Sequence, residues 1–483
     1  MNPHIFSTII LTAHWLIVVG LSIRVIMRRP PVGVSVAWLA VMFSVPFVGA
    51  AVYLLFGEKR LGRRRAMRIN ASIIDVARWQ KALKEQYGPA AVRIDASAGP
   101  LLHHAERVLG FPALPGNDIE LLSDFQTIFD RIIADIDAAQ NTVHLCFYIW
   151  QGGGRATDVV DALIRAARRG VQCRALADAM GSKAFFESEL VGRLRDAGVE
   201  FTAALPTGVL RMLVARTDLR NHRKITVIDD RVAYSGSQNL VDPRFFKQES
   251  GVGAWVDAMA RITGSAAASL DGVFQLDWSV ETGAAFEPPS VVFAGGTSTP
   301  AGSVIQIVPS GPDLQPEAIH QLLLTAIYAA RHELVMTTPY FVPDESMVTA
   351  LLTAALSGVE VTLIVPARND SVLIRHASVA YFDDLMSAGV RIALFNGGLL
   401  HTKSLTIDGA MSVFGSVNLD MRSLWLDFEI SLLVYDRDFT GRLRSLQDTY
   451  LRDSDRLDLD TWRRRPAWRR FTENTCRLLG PLL

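Results

Sequence analysis

Two long apolar stretches lie at the start of the chain. Residues 5–26 are mostly apolar, with His14 and Arg24 as interruptions, and residues 32–56 form a second stretch of membrane-spanning length. The sequence Arg-Arg-Pro-Pro at 28–31 separates them, so residues 1–60 are predicted to form a hairpin of two membrane helices. A cleaved signal peptide is the alternative for the first stretch, but no small-residue cleavage site follows it before the second begins.

From about residue 117, short apolar runs alternate with amphipathic segments in an order that occurs twice. The first series predicts strands at 141–150, 171–178 and 199–205 with a helix at 156–170, and the second predicts strands at 332–341, 359–366 and 390–395 with a helix at 344–358. This order predicts an α/β fold of two pseudo-symmetric lobes, each a mixed β-sheet with a parallel core flanked by helices. The predicted divisions are membrane helices 1–60, connector 61–116, first lobe 117–285, linker 286–304, second lobe 305–450 and tail 451–483.

Each lobe carries one copy of the pattern H-x-K-x4-D-x6-G-S-x-N. In both copies the aspartate follows the histidine by 7 residues and the asparagine follows it by 17. The candidate catalytic residues are therefore His222, Lys224, Asp229, His401, Lys403 and Asp408, and the candidate substrate-binding residues are Ser237, Asn239, Ser416 and Asn418.

Each copy of the motif is predicted to form a β-hairpin, since β-rich runs flank Asp229-Asp230 and Asp408-Gly409. Strand alternation places the His and the Lys of one copy on the same face. Two such faces brought together suit a phosphodiester: lysines and amides hold the anionic oxygens, a neutral imidazole attacks phosphorus, and a protonated imidazole donates to the leaving oxygen. The alternative is a pair of structural hairpins with surface histidines, but packing needs neither the Lys nor the Asn.

A carboxylate follows each motif at a similar distance. Glu249 lies 27 residues after His222, and Glu429 lies 28 residues after His401. Such an acid is expected to accept a hydrogen bond from an imidazole Nδ1–H and fix the tautomer, and a surface ion pair is the alternative. Tyr148 and Tyr340 end equivalent strands and are candidates for a pocket wall, with core packing as the alternative.

Composition restricts the function further. Lys and Arg together number 49, as do Asp and Glu, so the basic excess typical of nucleic-acid binders is lacking. A mean hydropathy of +0.22 indicates a membrane segment. The three cysteines lack ligand-like spacing, and no G-x-x-x-x-G-K-[ST] loop occurs. The tail interleaves Trp and Phe with arginines, a composition typical of a segment at an anionic lipid surface.

The paired motifs resemble those of the phospholipase D superfamily, and the sequences 241–264 and 417–432 with the double-span start are similar to bacterial cardiolipin synthases of that superfamily. The resemblance covers essentially the whole chain. It implies a phosphohistidine intermediate with no metal or other cofactor, and phosphatidyl transfer between two phosphatidylglycerol molecules to give cardiolipin and glycerol. It also gives an orienting role to an acid at the position of Glu249 and Glu429, and favours His222 as the nucleophile.

Several alternatives stay open at this point. A hydrolytic phospholipase D, or transfer to another alcohol, shares the same motif residues. A nuclease or a non-enzymatic membrane scaffold is disfavoured by the neutral charge and the intact motifs. The predicted partners are phosphatidylglycerol and other membrane lipids rather than nucleic acid, and the sequence leaves homo-oligomerisation open. Basic residues after the second apolar stretch predict a multi-pass protein of the bacterial inner (cytoplasmic) membrane with its lobes in the cytoplasm.

Overall fold

The computed structural model describes residues 3–30, 32–45, 47–58, 61–87, 94–208, 216, 218–289, 302–313, 315 and 317–480. The chain divides into two compact units. The first holds residues 1–66 and 207–218, and the second holds residues 67–206 and 219–483. Residues 206–220 form an apolar and basic insert that is absent from the second lobe, for which the sequence leaves a pocket mouth, a lipid contact and a surface loop open. Most of it lies outside the described residues.

The first unit contains helices Pro3–Arg28, Val32–Ser44 and Val48–Phe56. Among the described residues, a single helix, Ser7–Arg28, is long and apolar enough to cross a membrane. The second predicted span is not one continuous helix, since it is interrupted after Ser44 and Phe47 adopts a left-handed φ of 58°. The prediction of two membrane-spanning helices is thus confirmed only in part, for the first of the two.

An ion pair with a buried carboxylate explains the charge that interrupts the first apolar stretch. Arg24 Nη2 donates to Glu58 Oε2 at 2.9 Å, and the hydroxyl of Tyr53 donates to Glu58 Oε1 at 3.1 Å. Charged groups in apolar helices are stable when they pair with one another. Arg24 is therefore compatible with an apolar helix because the same unit provides its carboxylate.

The second unit is an α/β structure. Its strands are β1 Ala113–Leu122, β2 Thr142–Phe147, β3 Gln172–Asp178, β4 Glu200–Ala204, β5 Ile225–Ile228, β6 Val232–Gly236, β7 Trp255–Val256, β8 Met259–Thr263, β9 Ser303–Ser310, β10 Glu333–Thr337, β11 Phe341–Val342, β12 Glu360–Pro366, β13 Arg391–Phe395, β14 Leu399–Leu400, β15 Ser404–Ile407, β16 Met411–Gly415, β17 Leu419–Asp420, β18 Glu429–Tyr435 and β19 Ser454–Arg456.

Helices flank the strands throughout this unit. They are Gly99–Leu109, Phe125–Ala138, Arg155–Arg168, Lys183–Phe186, Glu189–Asp196, Ser265–Thr282, Ala318–Ala329, Glu345–Leu356, Val372–Val379, Phe382–Ser387, Met421–Trp425, Arg437–Arg452, Leu459–Arg463 and Ala467–Leu478. Most of helix Arg63–Tyr87 also belongs to this unit, where the guanidinium of Arg68 donates to the carbonyl of Val280 at 2.9 Å.

The two lobes have the predicted pseudo-symmetry. In the first, β2, β3 and β4 are parallel, and in the second, β10, β12 and β13 are parallel. Each motif forms an antiparallel hairpin, β5–β6 and β15–β16, beside that parallel core. The predicted α/β class with two mixed, parallel-cored lobes is confirmed.

A single sheet runs through both lobes. Strand β1 pairs with β8 on one side and with β9 on the other, so 15 strands form a continuous sheet. The helix Ser265–Thr282, which the sequence analysis did not predict, is buried along most of its length. Its polar residues Asp271 and Asp277 bind His144 and Arg223 respectively, which is why a helix with two internal acids is stable there.

Candidate active site

The histidine and lysine of each motif lie immediately before the first strand of the hairpin. All four side chains, His222, Lys224, His401 and Lys403, are buried. Each lysine Nζ donates to the backbone carbonyl of its own histidine, at 2.7 Å in the first motif and 2.6 Å in the second. The ammonium is thereby held beside the imidazole of the same motif.

The backbone of each motif pairs with the opposite lobe. The His222 amide donates to the carbonyl of Phe428 at 2.8 Å, and the His401 amide donates to the carbonyl of Val256 at 2.8 Å. Short parallel pairing of β14 with β7 extends the second of these contacts. The two motifs are therefore fixed relative to each other by main-chain hydrogen bonds that cross between the lobes.

Each imidazole also receives its carboxylate from the opposite lobe. His222 Nδ1 lies 2.9 and 3.0 Å from the two oxygens of Glu429, and His401 Nδ1 lies 2.6 Å from Asp257 Oδ1. A carboxylate on Nδ1 fixes the tautomer, so the lone pair of the neutral ring is on Nε2. Both histidines consequently have Nε2 as the atom available for chemistry.

The prediction for Glu249 is wrong, and Asp257 occupies the role expected of it. Glu249 lies exposed in a short 3-10 turn, away from either imidazole. Asp257 lies just before β8 and Glu429 is the first residue of β18, and both stand beside the Ser of their own motif. That Ser precedes the acid by 20 residues in the first lobe and 13 in the second. Counting residues from the serine would miss Asp257, because the two intervals differ. Aligning β8 with β18 finds it, since each acid lies two residues before the residue that pairs with the glycine of its motif.

The predicted substrate-binding serines hold these carboxylates instead. Ser237 Oγ donates to Asp257 Oδ1 at 2.6 Å, and Ser416 Oγ donates to Glu429, which also accepts from Ser423 Oγ at 2.7 Å. Both motif serines are fully buried and additionally accept from backbone amides. Their hydroxyls therefore act on the histidines through the acids rather than on a phosphate.

The motif aspartates lie outside the site. Asp229 accepts hydrogen bonds from the backbone amides of residues 140, 141 and 142 at 2.7–2.8 Å, and Asp408 accepts from those of residues 331, 332 and 333 at 2.8 Å. Each aspartate stands at the hairpin turn and joins it to the start of β2 or β10. The carboxylates of Asp229 and Asp408 thus hold the sheet, and a catalytic role for them stays a prediction that these contacts do not support.

The asparagines have amide groups available at the site. Asn239 Oδ1 accepts from the backbone amide of Ile149 at 3.1 Å, while its buried Nδ2 has no partner among the described residues. Asn418 differs, because its buried atom without a partner among the described residues is Oδ1, an acceptor, while its side chain is hydrogen-bonded to Asp420. An unpaired buried amide N–H is costly unless a ligand binds it, so Asn239 has a donor available, and substrate binding by the two asparagines stays a prediction.

Burial and the two lysine ammonium groups lower the pKa values of both imidazoles. Burial lowers the pKa of His222 well below its usual value, and Lys224 and Lys403 lower it further. Burial lowers the pKa of His401 to about 3 against the opposing effect of Asp257, and both lysines again contribute. Each histidine is therefore influenced by the lysine of the other motif, which indicates one shared site.

The acids around the two histidines differ in charge. Burial alone would raise the pKa of Asp257, but His401, Lys403 and Ser237 bring it below its usual value. In the second lobe, burial raises the pKa of Glu429 to about 7 and that of Asp427 to about 7, and repulsion from Glu429 contributes to the latter. Asp257 is thus the more anionic partner.

Aromatic rings form walls beside both imidazoles. The Tyr148 ring lies edge-on to His222 with centroids 4.8 Å apart, and the Trp255 ring lies 4.3 Å from that of His401. Tyr148 therefore lies beside the imidazole of His222, as expected of a residue in the pocket wall. Trp255 was not singled out in the sequence, because it follows the motif by many residues and has no counterpart in the pattern.

A buried arginine inside the first motif braces the two lobes. Arg223 Nε donates to the carbonyl of Glu429 at 3.1 Å, Nη2 donates to that of Ser310 at 3.1 Å, and Nη1 pairs with Asp277. The second motif has Thr402 at the equivalent place, whose hydroxyl lies 3.1 Å from that of Tyr450. Arg223 therefore holds the backbone of the acid that orients His222, a role which the motif pattern does not indicate.

The family described as "Cardiolipin synthase, PLD-like domain" matches residues 132–278 and 323–449, and the family described as "Phospholipase_D-nuclease N-terminal" matches residues 16–58. The chain is 46% identical over 484 aligned residues to proteins named "Cardiolipin synthase A" from Yersinia pseudotuberculosis and Yersinia pestis, with 99% of each chain covered.

Among solved structures, the phosphatidylserine synthase of Haemophilus influenzae has a similar fold. It superposes with a TM-score of 0.60 at 16% sequence identity, and the match covers 79% of this chain and 100% of that one. At this identity the likeness concerns the fold alone.

Proposed function

The chain belongs to the phospholipase D-like cardiolipin synthase family, and from this premise we propose that it transfers a phosphatidyl group from one phosphatidylglycerol to a second, forming cardiolipin and glycerol. The observation that carries the proposal is the pair of buried histidines, each held on Nδ1 by a carboxylate from the opposite lobe. One phosphodiester replaces another, so the exchange needs no nucleotide.

In the first step, Nε2 of His222 attacks the donor phosphorus. A bond from phosphorus to Nε2 forms as the bond from phosphorus to the glycerol oxygen breaks, and His401 donates a proton to the departing alkoxide. Lys224, Lys403 and the amides of Asn239 and Asn418 bind the phosphate oxygens, where negative charge develops. An anion bound there also offsets the lysine charges that disfavour a protonated imidazole.

In the second step, the acceptor is the headgroup hydroxyl of another phosphatidylglycerol. His401 removes its proton, the oxygen forms a bond to phosphorus, and the bond to His222 breaks. The unequal acids support this division of roles, since the more anionic Asp257 stabilises an imidazolium at His401. Glu429, with its raised pKa, is the weaker stabiliser, which favours a neutral nucleophilic ring at His222.

Incubation of the purified full chain with phosphatidylglycerol alone tests the activity, with lipids analysed by mass spectrometry. Cardiolipin and glycerol are expected in equal amounts. Phosphatidic acid as the main product would instead identify a hydrolase, and a new phosphodiester formed only when another alcohol is added would identify a different acceptor.

The assignment of the nucleophile is tested with a phosphatidyl substrate that carries a nitrophenol leaving group, which departs without a general acid. His401→Ala is expected to form a stable phospho-adduct at position 222, because its second step lacks a base, and His222→Ala is expected to form none. An adduct at position 401 in the wild type or in His222→Ala would reverse the two roles.

We further propose that the chain is a multi-pass protein of the bacterial inner membrane with its catalytic lobes in the cytoplasm. The N-terminal apolar helix and the membrane-lipid substrate support this location. Labelling of a cysteine introduced at the exposed residue Leu356, in intact cells and in inverted vesicles, tests the orientation. A membrane-impermeant reagent is expected to react only in inverted vesicles, and reaction in intact cells would contradict it.

A further inference from the structure

The helix Ala467–Leu478 packs on the second lobe by its polar side. Its buried residue is Glu473, whose Oε1 lies 2.8 Å from Nη1 of Arg465 in a largely buried ion pair. The guanidinium of Arg477 lies 5.4 Å from the ring centroid of Tyr381. Arg465 precedes the helix in the tail and its guanidinium lies 3.5 Å from the ring centroid of Trp462, which packs on the core of the second lobe. The helix is therefore attached to the lobe through Trp462 and Tyr381, which its charged side contacts directly or through Arg465.

The apolar side of the same helix faces outward. Trp468, Phe471 and Leu478 are 64%, 73% and 79% exposed. Their spacing of three and then seven residues places them along one face of the helix. A surface helix of a soluble protein normally buries such a face, so this arrangement is the reverse of the usual one.

A neighbouring helix extends the apolar surface. Helix Val372–Val379 packs against the tail helix and exposes Val372 and Leu373. We name Val372, Leu373, Trp468, Phe471 and Leu478 the outer apolar face. The loop before Val372 contacts both lobes, since Asp370 accepts hydrogen bonds from the hydroxyl of Tyr340 at 2.9 Å and from Nζ of Lys247 at 3.1 Å.

The charge around the outer apolar face is positive. Residues 461–480 contain six arginines and one glutamate, and Arg469 and Arg470 are exposed beside Trp468 and Phe471. Apolar and aromatic side chains on one face with arginines at its edges suit the headgroup region of an anionic bilayer.

We propose that the outer apolar face inserts into the headgroup region of a bilayer containing anionic lipid, so that the second lobe has a lipid-docking surface of its own in addition to the N-terminal apolar helix. This surface adjoins the loop that binds Tyr340 and keeps the site region close to its lipid substrate. The choice of an anionic lipid rests on the proposed function, because phosphatidylglycerol is an anion.

Fluorescence of the full chain in lipid nanodiscs tests insertion without requiring turnover. An environment-sensitive NBD label is attached to Leu478→Cys in a Cys476→Ser background, with one chain per disc. In discs of phosphatidylcholine and phosphatidylglycerol, the emission is expected to shift to shorter wavelength and to be quenched by lipids with a nitroxide near the headgroup. The same label at Leu356→Cys, an exposed apolar position on another helix of this lobe, is the matched control and is expected to report water.

Two results would overturn the docking surface. One is an emission from position 478 that equals the control in every disc. The other is a shift that depends on protein concentration in detergent rather than on lipid, which would identify a second copy of the chain as the occupant. Insertion of the label in a preparation that makes no cardiolipin would support the docking surface while contradicting the proposed function.

Kinetics provide an independent measure. Phe471→Ser combined with Leu478→Ser is expected to raise the KM for phosphatidylglycerol in mixed micelles by roughly tenfold or more, because the loss of even one lipid-buried apolar side chain corresponds to about that factor, with kcat unchanged. Leu356→Ser should leave both constants as in the wild type. A KM unaffected by the double substitution would contradict the proposal.

Discussion

At the scale of residues, the chemistry depends on pairs that are distant in sequence. Asp257 and His401 are 144 residues apart, and His222 and Glu429 are 207 apart, yet each pair is joined by a hydrogen bond. Because each acid lies on the lobe opposite its histidine, neither lobe contains a complete acid–histidine pair. Substitutions of single residues in these pairs therefore test whether each imidazole is oriented by an acid of the opposite lobe or by an acid of its own lobe.

Asp257→Asn is expected to lower kcat by roughly a thousandfold or more, because the amide neither fixes the correct tautomer of His401 nor stabilises its cation. The matched control is Glu249→Gln, which should remain within about twofold of the wild type as an exposed substitution. Steady-state rates of cardiolipin formation measure both variants. A large loss for Glu249→Gln with a small one for Asp257→Asn would contradict the assignment.

The pH dependence follows from two buried groups. Glu429, whose pKa is raised to about 7, takes up a proton as the pH falls through that value and then supports His222 less well. Lys224, whose pKa burial lowers to about 8, loses its charge as the pH rises through that value and then binds the phosphate less well. The profile of kcat/KM is therefore expected to be bell-shaped, with its maximum between these values.

Lys224→Arg provides a control for the alkaline limb of that profile. A guanidinium keeps its charge at high pH, so the decline is expected at higher pH than in the wild type, whatever the absolute rate. A wild-type profile that is flat from acidic to alkaline pH would contradict the involvement of both groups.

At the scale of elements, each motif hairpin is also bound to the neighbouring parallel strand, a structural role separate from the chemistry. Asp229 and Asp408 each bind three backbone amides at the start of the neighbouring parallel strand. The same aspartates have a left-handed φ of 52° and 51°, a conformation that Asp tolerates better than most residues. The repeated aspartate is therefore explained by the hairpin turn.

Asp229→Ala is expected to lower the free energy of unfolding by about 1–3 kcal/mol, since backbone amides lose a charged acceptor. The rate per folded molecule should stay close to that of the wild type. Denaturant unfolding and rates normalised to folded protein measure the two effects, with the exposed Asp384→Ala as the control. A stable but inactive Asp229→Ala would show that the carboxylate takes part in the reaction.

At the scale of the whole second unit, one sheet and the cross-lobe hydrogen bonds join both lobes. Strand β1 of the first lobe pairs with β9 of the second, and the backbones of both motifs pair with the opposite lobe. The two lobes are therefore expected to remain associated without a covalent connection between them.

A protease site inserted between residues 289 and 302 tests this expectation. After cleavage, the two pieces are expected to elute together in gel filtration and to retain transferase activity, because the hydrogen bonds around both histidines are unchanged. The uncut protein with the same insertion is the control. Separation of the pieces without denaturant would mean that the cross-lobe contacts are weaker than the structure indicates.

Much of the fold and half of the site could be predicted from the sequence, because those features depend on local patterns. Apolar runs and amphipathic helices fixed the strand–helix–strand order of each lobe, and the duplicated spacing identified His222, Lys224, His401 and Lys403. The spacing pattern does not distinguish polar residues that act in the chemistry from polar residues that hold the structure, however. Asp229 and Ser237 have the same fixed spacing as His222, yet one holds the sheet and the other holds an orienting acid.

The sequence by itself determined which groups the site contains, because the motif spacing brings a histidine and a lysine together within a few residues of chain. Only the tertiary structure decided their partners. Asp257 and Arg223 act across the lobes, where sequence distance carries no information and a loop of different length shifts the count from the motif. The orientation of the helix Ala467–Leu478 was decided in the same way, since the contacts of Arg477 with Tyr381 and of Arg465 with Trp462 place its charged side on the second lobe and leave its apolar side outward.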